Sequence, residues 1–373
     1  MKKRVLFMPF LQIPSGHHQV ADALCEMINQ IDPSIDCDKI DILQYSYGKV
    51  ESLVSKTYLN WIKHSPKSYN WLYQNSVILQ QTKEKNYRLY EMLFKHYVKK
   101  LVFDKKPDLI ICSHALPSFM LNKLKEEKKI TTPVINVYTD YFIHGFWGVK
   151  HIDYHLVSHF SMKDSLVKKG VTKENIFVTG IPIHPKIQTA NANNLQSIRT
   201  PKNCTIMGGS LGVGILEELI PKLIHTQNLT FTVVCGKNEK LYEELIKINH
   251  PMIKPLPYVQ NREDMDNLYS TSDLIITKPG GVTISECLMK GIPALIYHAL
   301  PGQEQINLDQ LSKMGLVFHF NNWENVDSLE DELYRFYEVN DVSKKFPVAI
   351  KKFHRQLSNL SVEQILRNIL VAI

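Results

Sequence analysis

The sequence predicts two α/β domains, each a parallel β-sheet covered by helices. Its 373 residues are too many for one comfortable core. Short β-rich runs alternate with helical patterns through both halves of the chain. A polar stretch poor in large apolar residues, IQTANANNLQSIRTPKN, interrupts that alternation near the middle.

The first half opens on RVLFMPF. A basic start followed by apolar residues resembles a signal peptide, but the run is short and leads into a turn, so it reads as a first strand. A helix is expected from about His18 to Asn29, then strands at DKIDIL, DLIICS, PVINVYTD, YHLVS and IFVTG. From about Val50 to Phe103 the pattern is helical and too long for an ordinary crossover, with Tyr90, Phe94, Tyr97 and Leu101 at helical spacing. Two domains are expected, 1–185 and 186–373, with the last helix a candidate to pack back on the first. In the second half the alternation restarts: CTIMGGS, a helix, FTVVCG, a helix from about Glu239, a Pro-bounded segment, DLIIT, a helix from Val282, and PALIYH.

Composition narrows the function classes. A hydrophobic content of 44% with 22% charged residues is that of a globular protein, and the net charge of +7 argues for an anionic partner without naming one. The six cysteines form no CxxC pair and fall mostly in apolar segments, which suits a reducing cytoplasm. No run approaches the ~18 apolar residues of a membrane span, so any membrane contact is expected to be peripheral. Residues 56–106 hold eleven Lys or Arg against three acidic residues, together with Trp61, Trp71 and several Tyr. That mix suits the boundary between lipid headgroups and acyl chains, and equally a well-packed helical insertion. Nucleic acid is not expected, since no reading motif accompanies the basic residues.

The chemistry concentrates in SDLIITKPGGVTISECLMKGIP. A strand over Asp273 to Ile276 runs into Lys278-Pro279-Gly280-Gly281, and a helix opens near Val282. Free N–H groups and the positive end of the helix dipole meet there, and two glycines let a diphosphate approach the main chain. Thr283 can add a hydroxyl. Glu286, one turn on, can accept hydrogen bonds from vicinal ribose hydroxyls. Read alone, such a glycine pair is also an ordinary turn with an exposed glutamate. Gln303, Glu304 and Asn307 open the next predicted helix, where they can read sugar hydroxyls, and Gly208-Gly209-Ser210 after the domain's first strand is a second, weaker phosphate-facing turn.

The run TKPGGVTISECLMKGIPALIYHALPGQEQIN resembles the donor-site signature of the diacylglycerol glycosyltransferases, a branch of glycosyltransferase family 28 that includes the monogalactosyldiacylglycerol synthases. The likeness extends to VVCGKNEKL, PYVQNREDMDNLYSTSDLIITK, SGHHQVADAL, VYTDYFIHGFWGVKHIDYHLVS and VTGIPIHPK. It implies a GT-B fold: two Rossmann-like domains facing a cleft, with a UDP-sugar held mainly by the C-terminal one. It places Gly280, Gly281 and Thr283 at the diphosphate, Glu286 at the ribose, Gln303, Glu304 and Asn307 at the hexose, and Tyr258 and Val259 at the uracil.

In the first domain, the turn Pro14-Ser15-Gly16 leads to His17, which aligns with the family's acceptor-side histidine, although the turn is less glycine-rich than the family's. An imidazole with a pKa near ~6.5 suits removal of a proton from an acceptor hydroxyl; a helix cap is the alternative. Asp140, at the C-terminal end of a strand, is a second candidate base, with His144 and Trp147 in the same motif on the acceptor or membrane side. The Asp-x-Asp pairs Asp36–Asp38 and Asp264–Asp266 read as structural, the second on a helix beginning near Asn261 that points them to different faces. No metal or cofactor is expected, with the Gly281 helix terminus and Lys278 neutralising the leaving diphosphate.

The resemblance thus implies inverting hexosyl transfer from a UDP-sugar to a diacylglycerol-like lipid, by a cytoplasmic enzyme at the inner face of the cell membrane. A polyprenyl-linked or soluble acceptor, a non-catalytic UDP-sugar sensor, and a UDP-sugar epimerase of the same architecture are the alternatives.

Overall fold

The computed structural model describes residues 2–10, 16–47, 87–189, 200–208 and 216–373. Trp61, Trp71, Gly209 and Ser210 lie outside the described residues. The chain forms two compact units, Met1–Pro185 with Gln356–Ile373, and Lys186–Arg355.

Unit 1 carries β1 (Arg4–Phe7), α1 (Gly16–Ile31), β2 (Asp36–Lys39), α2 (Ile42–Tyr47), α3 (Arg88–Lys105), β3 (Leu109–Cys112), α4 (Ala115–Glu126), β4 (Val134–Val137), β5 (Tyr154–Val157), α5 (Phe160–Lys168) and β6 (Ile176–Val178). Its parallel sheet has the order β2-β1-β3-β4-β5-β6. Every residue of β3 and β4 is buried, as expected for central strands covered on both faces, whereas β2 at the edge keeps the polar sequence DCDK.

Unit 2 carries β7 (Asn203–Met207), α6 (Leu216–Leu223), β8 (Thr230–Val234), α7 (Glu239–Ile248), β9 (Ile253–Leu256), α8 (Arg262–Ser270), β10 (Leu274–Thr277), α9 (Gly281–Lys290), β11 (Ala294–Ile296), α10 (Gln303–Lys313), β12 (Phe318–His319), α11 (Leu329–Val339) and α12 (Val342–Gln356). The order here is β12-β11-β10-β7-β8-β9, again parallel. The Pro-bounded segment is the edge strand β9; Pro255 has no N–H to give, and an edge position tolerates that. The chain then returns to unit 1 as α13 (Val362–Ala372), capped reciprocally by Ser361 and Gln364 and packed on α1. Lys3 Nζ donates to the Leu370 carbonyl, and the Ser358 amide donates to that of Val178 at 2.6 Å.

One device recurs in both sheets. An aspartate just before a strand accepts the amide of the neighbouring strand's first residue: Asp108 from Arg4 (2.8 Å), Asp153 from Val134 (2.7 Å) and Asp273 from Asn203 (2.9 Å). These carboxylates pin strand register at the N-terminal edges and leave the opposite edges to other chemistry.

Local details differ from the sequence-based expectations. DKIDIL is not one strand: β2 stops at Lys39, and Asp41 caps α2 by accepting from Leu43 N at 2.7 Å. Asp36 and Asp38 lie within β2, Asp38 paired with Lys105 at 2.9 Å, and Asp266 is buried on Lys290 and the Gln188 amide. On α3 the buried stripe is Phe94, Val98, Leu101 and Val102, while Tyr90 is 45% exposed. The helical phase is right, but its apolar face starts one turn later.

Glu330 on α11 is a buried carboxylate that accepts from Thr226 Oγ1, Asn228 Nδ2 and the amides of Gln227, Asn228 and Leu229. Burial pushes it up, but these hydrogen bonds outweigh burial and hold it at about 2. A lowered carboxylate contributes stability above the ordinary carboxylate range and loses it as pH falls toward its folded value. Glu330→Gln is therefore expected to cost about 2 kcal/mol at neutral pH, with the difference from the parent shrinking between about pH 4 and pH 2 in urea unfolding. An equal difference at both ends of that range would contradict this account.

Candidate functional site

Each sheet winds outward in both directions from one strand. In unit 1 the chain goes from β1 to β2 on one side and to β3 on the other; in unit 2, β8 and β10 flank β7 in the same way. Such a switch point leaves a crevice outside the C-terminal ends of the two strands, where open α/β sheets take ligands. The candidate residues collect at these two places.

In unit 2, Gly208 follows β7 and is buried, and β10 ends in the turn Lys278-Pro279-Gly280 that heads α9. Gly280 has φ −72° and ψ 134°, a conformation open to any residue, and a Cβ built on it meets nothing within 4 Å among the described residues. Neither backbone strain nor packing requires glycine there. What its absent side chain leaves clear is the space before the first-turn amides of α9. Asn307 on α10 ties the turn in place, its Nδ2 donating to the Pro279 carbonyl at 3.3 Å. Gly302, at φ 100°, lets α10 begin abruptly, with Gln303 partly exposed and Glu304 accepting from the Leu300 amide at 2.7 Å.

Glu286 is 3% exposed, not a surface glutamate. Tyr269 Oη donates to its Oε2 at 2.7 Å, Arg262 approaches Oε1 at 3.7 Å, and buried Oε1 has no hydrogen-bond partner among the described residues. Burial raises its pKa, against the Tyr269 hydrogen bond and the Arg262 charge. A buried carboxylate oxygen without a donor is costly, and a ligand hydroxyl would satisfy it. Thr283, partly exposed, lies one turn nearer the helix start. Lys278 and the burial of Glu304 oppose each other: burial raises the Glu304 carboxyl and Lys278 lowers it. Tyr258 and Val259 follow β9 partly exposed, with Lys237 Nζ 5.8 Å above the Tyr258 ring.

In unit 1, His17 is the second residue of α1, at the start of the helix that follows β1. Its Nδ1 lies 2.8 Å from the Ser113 carbonyl, just after β3, and 2.8 Å from Thr139 Oγ1, just after β4. A carbonyl only accepts, so Nδ1 carries the proton and Nε2 is left as the basic nitrogen. Burial holds the imidazole below its ordinary value against the opposing pull of the Asp140 carboxylate and the Ser113 carbonyl, so it is neutral at neutral pH. His114 and His144 pack nearby and are also held low by burial, His144 at about 3. Asp140, 6% exposed, is thus a counter-charge to a neutral base.

Trp147, expected on the acceptor or membrane side, is a buried residue of the same loop. It is 6% exposed and packs on Tyr138 at 4.5 Å between centroids, within the core. It anchors the loop that follows Asp140, as does Gly148, where a Cβ would fall 2.5 Å from the Ser118 carbonyl oxygen. His144 Nδ1 accepts from the Phe146 amide within that loop.

Sequence reasoning did not single out Tyr269, Arg262 or Ser113. Arg262 and Tyr269 are seven residues apart on α8 and so share a face, which is a readable signal. Ser113 acts through its carbonyl, which no side-chain pattern reports.

Two doubly wound parallel sheets, one with a glycine turn heading a helix at its switch point and the other with an oriented histidine there, are the architecture of the GT-B class. The comparisons agree. The monogalactosyldiacylglycerol synthase family model matches residues 17–183, and that of the glycosyltransferase family 28 C-terminal domain matches 203–337. The chain is 39% identical to an uncharacterized glycosyltransferase, YkoN of Bacillus subtilis, over 99% of this chain and 97% of that one. It is 31% identical to a processive diacylglycerol beta-glucosyltransferase of Bacillus cytotoxicus over 79% and 76%. Among solved structures, MurG of Acinetobacter baumannii superposes with a TM-score of 0.61 at 15% identity, covering 100% of both chains. This protein belongs to glycosyltransferase family 28.

The electrostatics of His17 are directly testable. In Asp140→Asn the charge that raises the imidazole is gone, so His17 should titrate at lower pH than in the parent, read from its ring signals by NMR. An unchanged or higher midpoint would remove Asp140 as its counter-charge.

Proposed function

We propose that the protein transfers a hexose, with inversion, from a UDP-sugar to the hydroxyl of a diacylglycerol-like membrane lipid. The observation that carries the donor half is the buried Oε1 of Glu286, near Arg262 but without a hydrogen bond among the described residues, one turn behind the open Gly280 turn. In this reading the diphosphate lies on the α9 terminus with Gly280, Gly281, Thr283 and Lys278, and the Gly208-Gly209-Ser210 turn flanks it. Glu286 takes the ribose, Tyr258 and Val259 the uracil, and Gln303, Glu304 and Asn307 the hexose.

His17 Nε2 removes the acceptor proton as the hydroxyl attacks the anomeric carbon, and Asp140 stabilises the imidazolium that forms. Negative charge developing on the leaving UDP is met by the α9 amides and Lys278 without a metal. The lipid acceptor is supported by the diacylglycerol glucosyltransferase named among the relatives. The basic segment 56–106 fits an anionic membrane surface, since its described part, α3, exposes Met92 and Phe103 beside Lys99. No helix among the described residues is long and apolar enough to cross a membrane.

Incubation with a panel of UDP-sugars and diacylglycerol liposomes should yield a glycolipid. Sugar release without acceptor, or UDP-sugar binding without product, would overturn the assignment. Glu286→Ala should raise the donor KM by about ten- to a hundredfold, and His17→Ala should lower kcat by about a hundredfold or more with donor KM little changed. Normal donor affinity in Glu286→Ala would remove the ribose role.

Charge reversal at Lys56, Lys63 and Lys67 should weaken flotation with anionic vesicles, each contact being worth about 1 kcal/mol. Unchanged vesicle binding would count against membrane docking by this segment.

A further inference from the structure

Helix α12 is divided lengthwise into two faces. Val342, Phe346, Ile350 and Phe353 are buried, and His354 Nε2 donates to the Leu288 carbonyl at the end of α9 at 2.9 Å, which fixes the rotation of the helix. Opposite the buried residues, Lys344, Val348, Lys351 and Arg355 recur four, three and four residues apart, with Lys345 and Lys352 beside them. At 3.6 residues per turn these six fall in one stripe about 120° wide. All are exposed except Lys351, which is half-buried.

Two properties separate this stripe from an ordinary solvated face. It is of one sign: α12 contains no Asp or Glu, whereas α11 just before it carries Glu330, Asp331, Glu332 and Glu338 against Arg335 alone. Solvated helix faces mix the two signs and pair them along the helix. Among the described residues, only Lys344 of the five cations has an ion-pair partner, Asp341 at 3.5 Å. The second property is Val348, 70% exposed at the centre of the stripe. A lone exposed valine is ordinary, but one framed by five cations supplies the other half of interfacial binding, an apolar side chain to bury beneath charged headgroups.

We propose that the exposed face of α12 is a second docking surface for an anionic lipid bilayer, carried by unit 2. The four lysines and Arg355 lie at the headgroup phosphates, their alkyl stems reaching past Val348, and Val348 meets the acyl boundary. This deepens the membrane partner of the function proposed above and rests on that reading. Nucleic acid would match the charge but offers Val348 nothing, and the stripe has no aromatic side chain on which a base could stack. Each basic contact with an anionic surface is worth about fivefold in partitioning, so binding through this face is reversible and weakened by salt.

Flotation of the full-length protein with vesicles of phosphatidylglycerol in phosphatidylcholine, and of phosphatidylcholine alone, tests the surface. Lys351→Glu with Lys352→Glu should lower partitioning to the anionic vesicles by at least about twentyfold and leave binding to phosphatidylcholine alone unchanged. Lys351→Arg with Lys352→Arg should bind as the parent does. Val348→Asp should weaken binding, and Val348→Trp should tighten it, with a blue shift in emission on vesicle addition that exceeds the parent's. Every variant should melt as the parent does. Full anionic binding by the Lys351→Glu, Lys352→Glu protein, with only charge reversal at Lys56, Lys63 and Lys67 weakening flotation, would leave membrane docking standing and overturn the role of α12. A parent that ignores anionic vesicles would overturn both. Equal losses of duplex RNA and vesicle binding in the lysine reversal, with neither Val348 variant altering either, would make the stripe a general polyanion site and overturn the lipid assignment.

Discussion

A parallel sheet that grows in both directions from one strand cannot cover the C-terminal ends of its two central strands with crossover helices, because those helices depart to opposite sides. That constraint governs both halves of this protein. In unit 1 it exposes the ends of β1 and β3, where His17 meets the Ser113 carbonyl. In unit 2 it exposes the ends of β7 and β10, where Gly208 and the Gly280 turn lie. The aspartates that pin strand register, Asp108, Asp153 and Asp273, all act at the opposite edge. Stability and chemistry are thereby assigned to different ends of the same strands.

The two candidate half-sites use burial for opposite purposes. Around His17, removal from water favours the neutral imidazole, and a backbone carbonyl selects which nitrogen keeps its proton. Around Glu286, removal from water raises the cost of a carboxylate that is only partly satisfied, by Tyr269 and Arg262. The first arrangement readies a base; the second leaves an oxygen that a hydroxyl-bearing ligand would complete. Both depend on neighbours far away in sequence.

Much of this was legible beforehand because it rests on short-range pattern. Strand-turn-helix order at Thr277–Gly281, the single turn from Thr283 to Glu286, and the start of α10 at Gln303 follow from spacing, glycine and polarity. Where reading failed, a local pattern had two outcomes and tertiary contact chose between them. DKIDIL splits because Asp41 finds helix amides to cap. The Pro-bounded segment becomes β9 because an edge strand spares Pro255 a donor.

The sequence by itself determined two α/β domains, the glycine turn at a helix start, and membership of glycosyltransferase family 28, because strand period, helix period and turn chemistry are encoded over a few residues. Only the tertiary structure decided that Glu286 is buried with one oxygen lacking a hydrogen bond among the described residues, and that His17 is oriented by Ser113 and Thr139. Those facts join residues from different elements. Their energies arise from desolvation and from hydrogen-bond partners that only folding brings within reach.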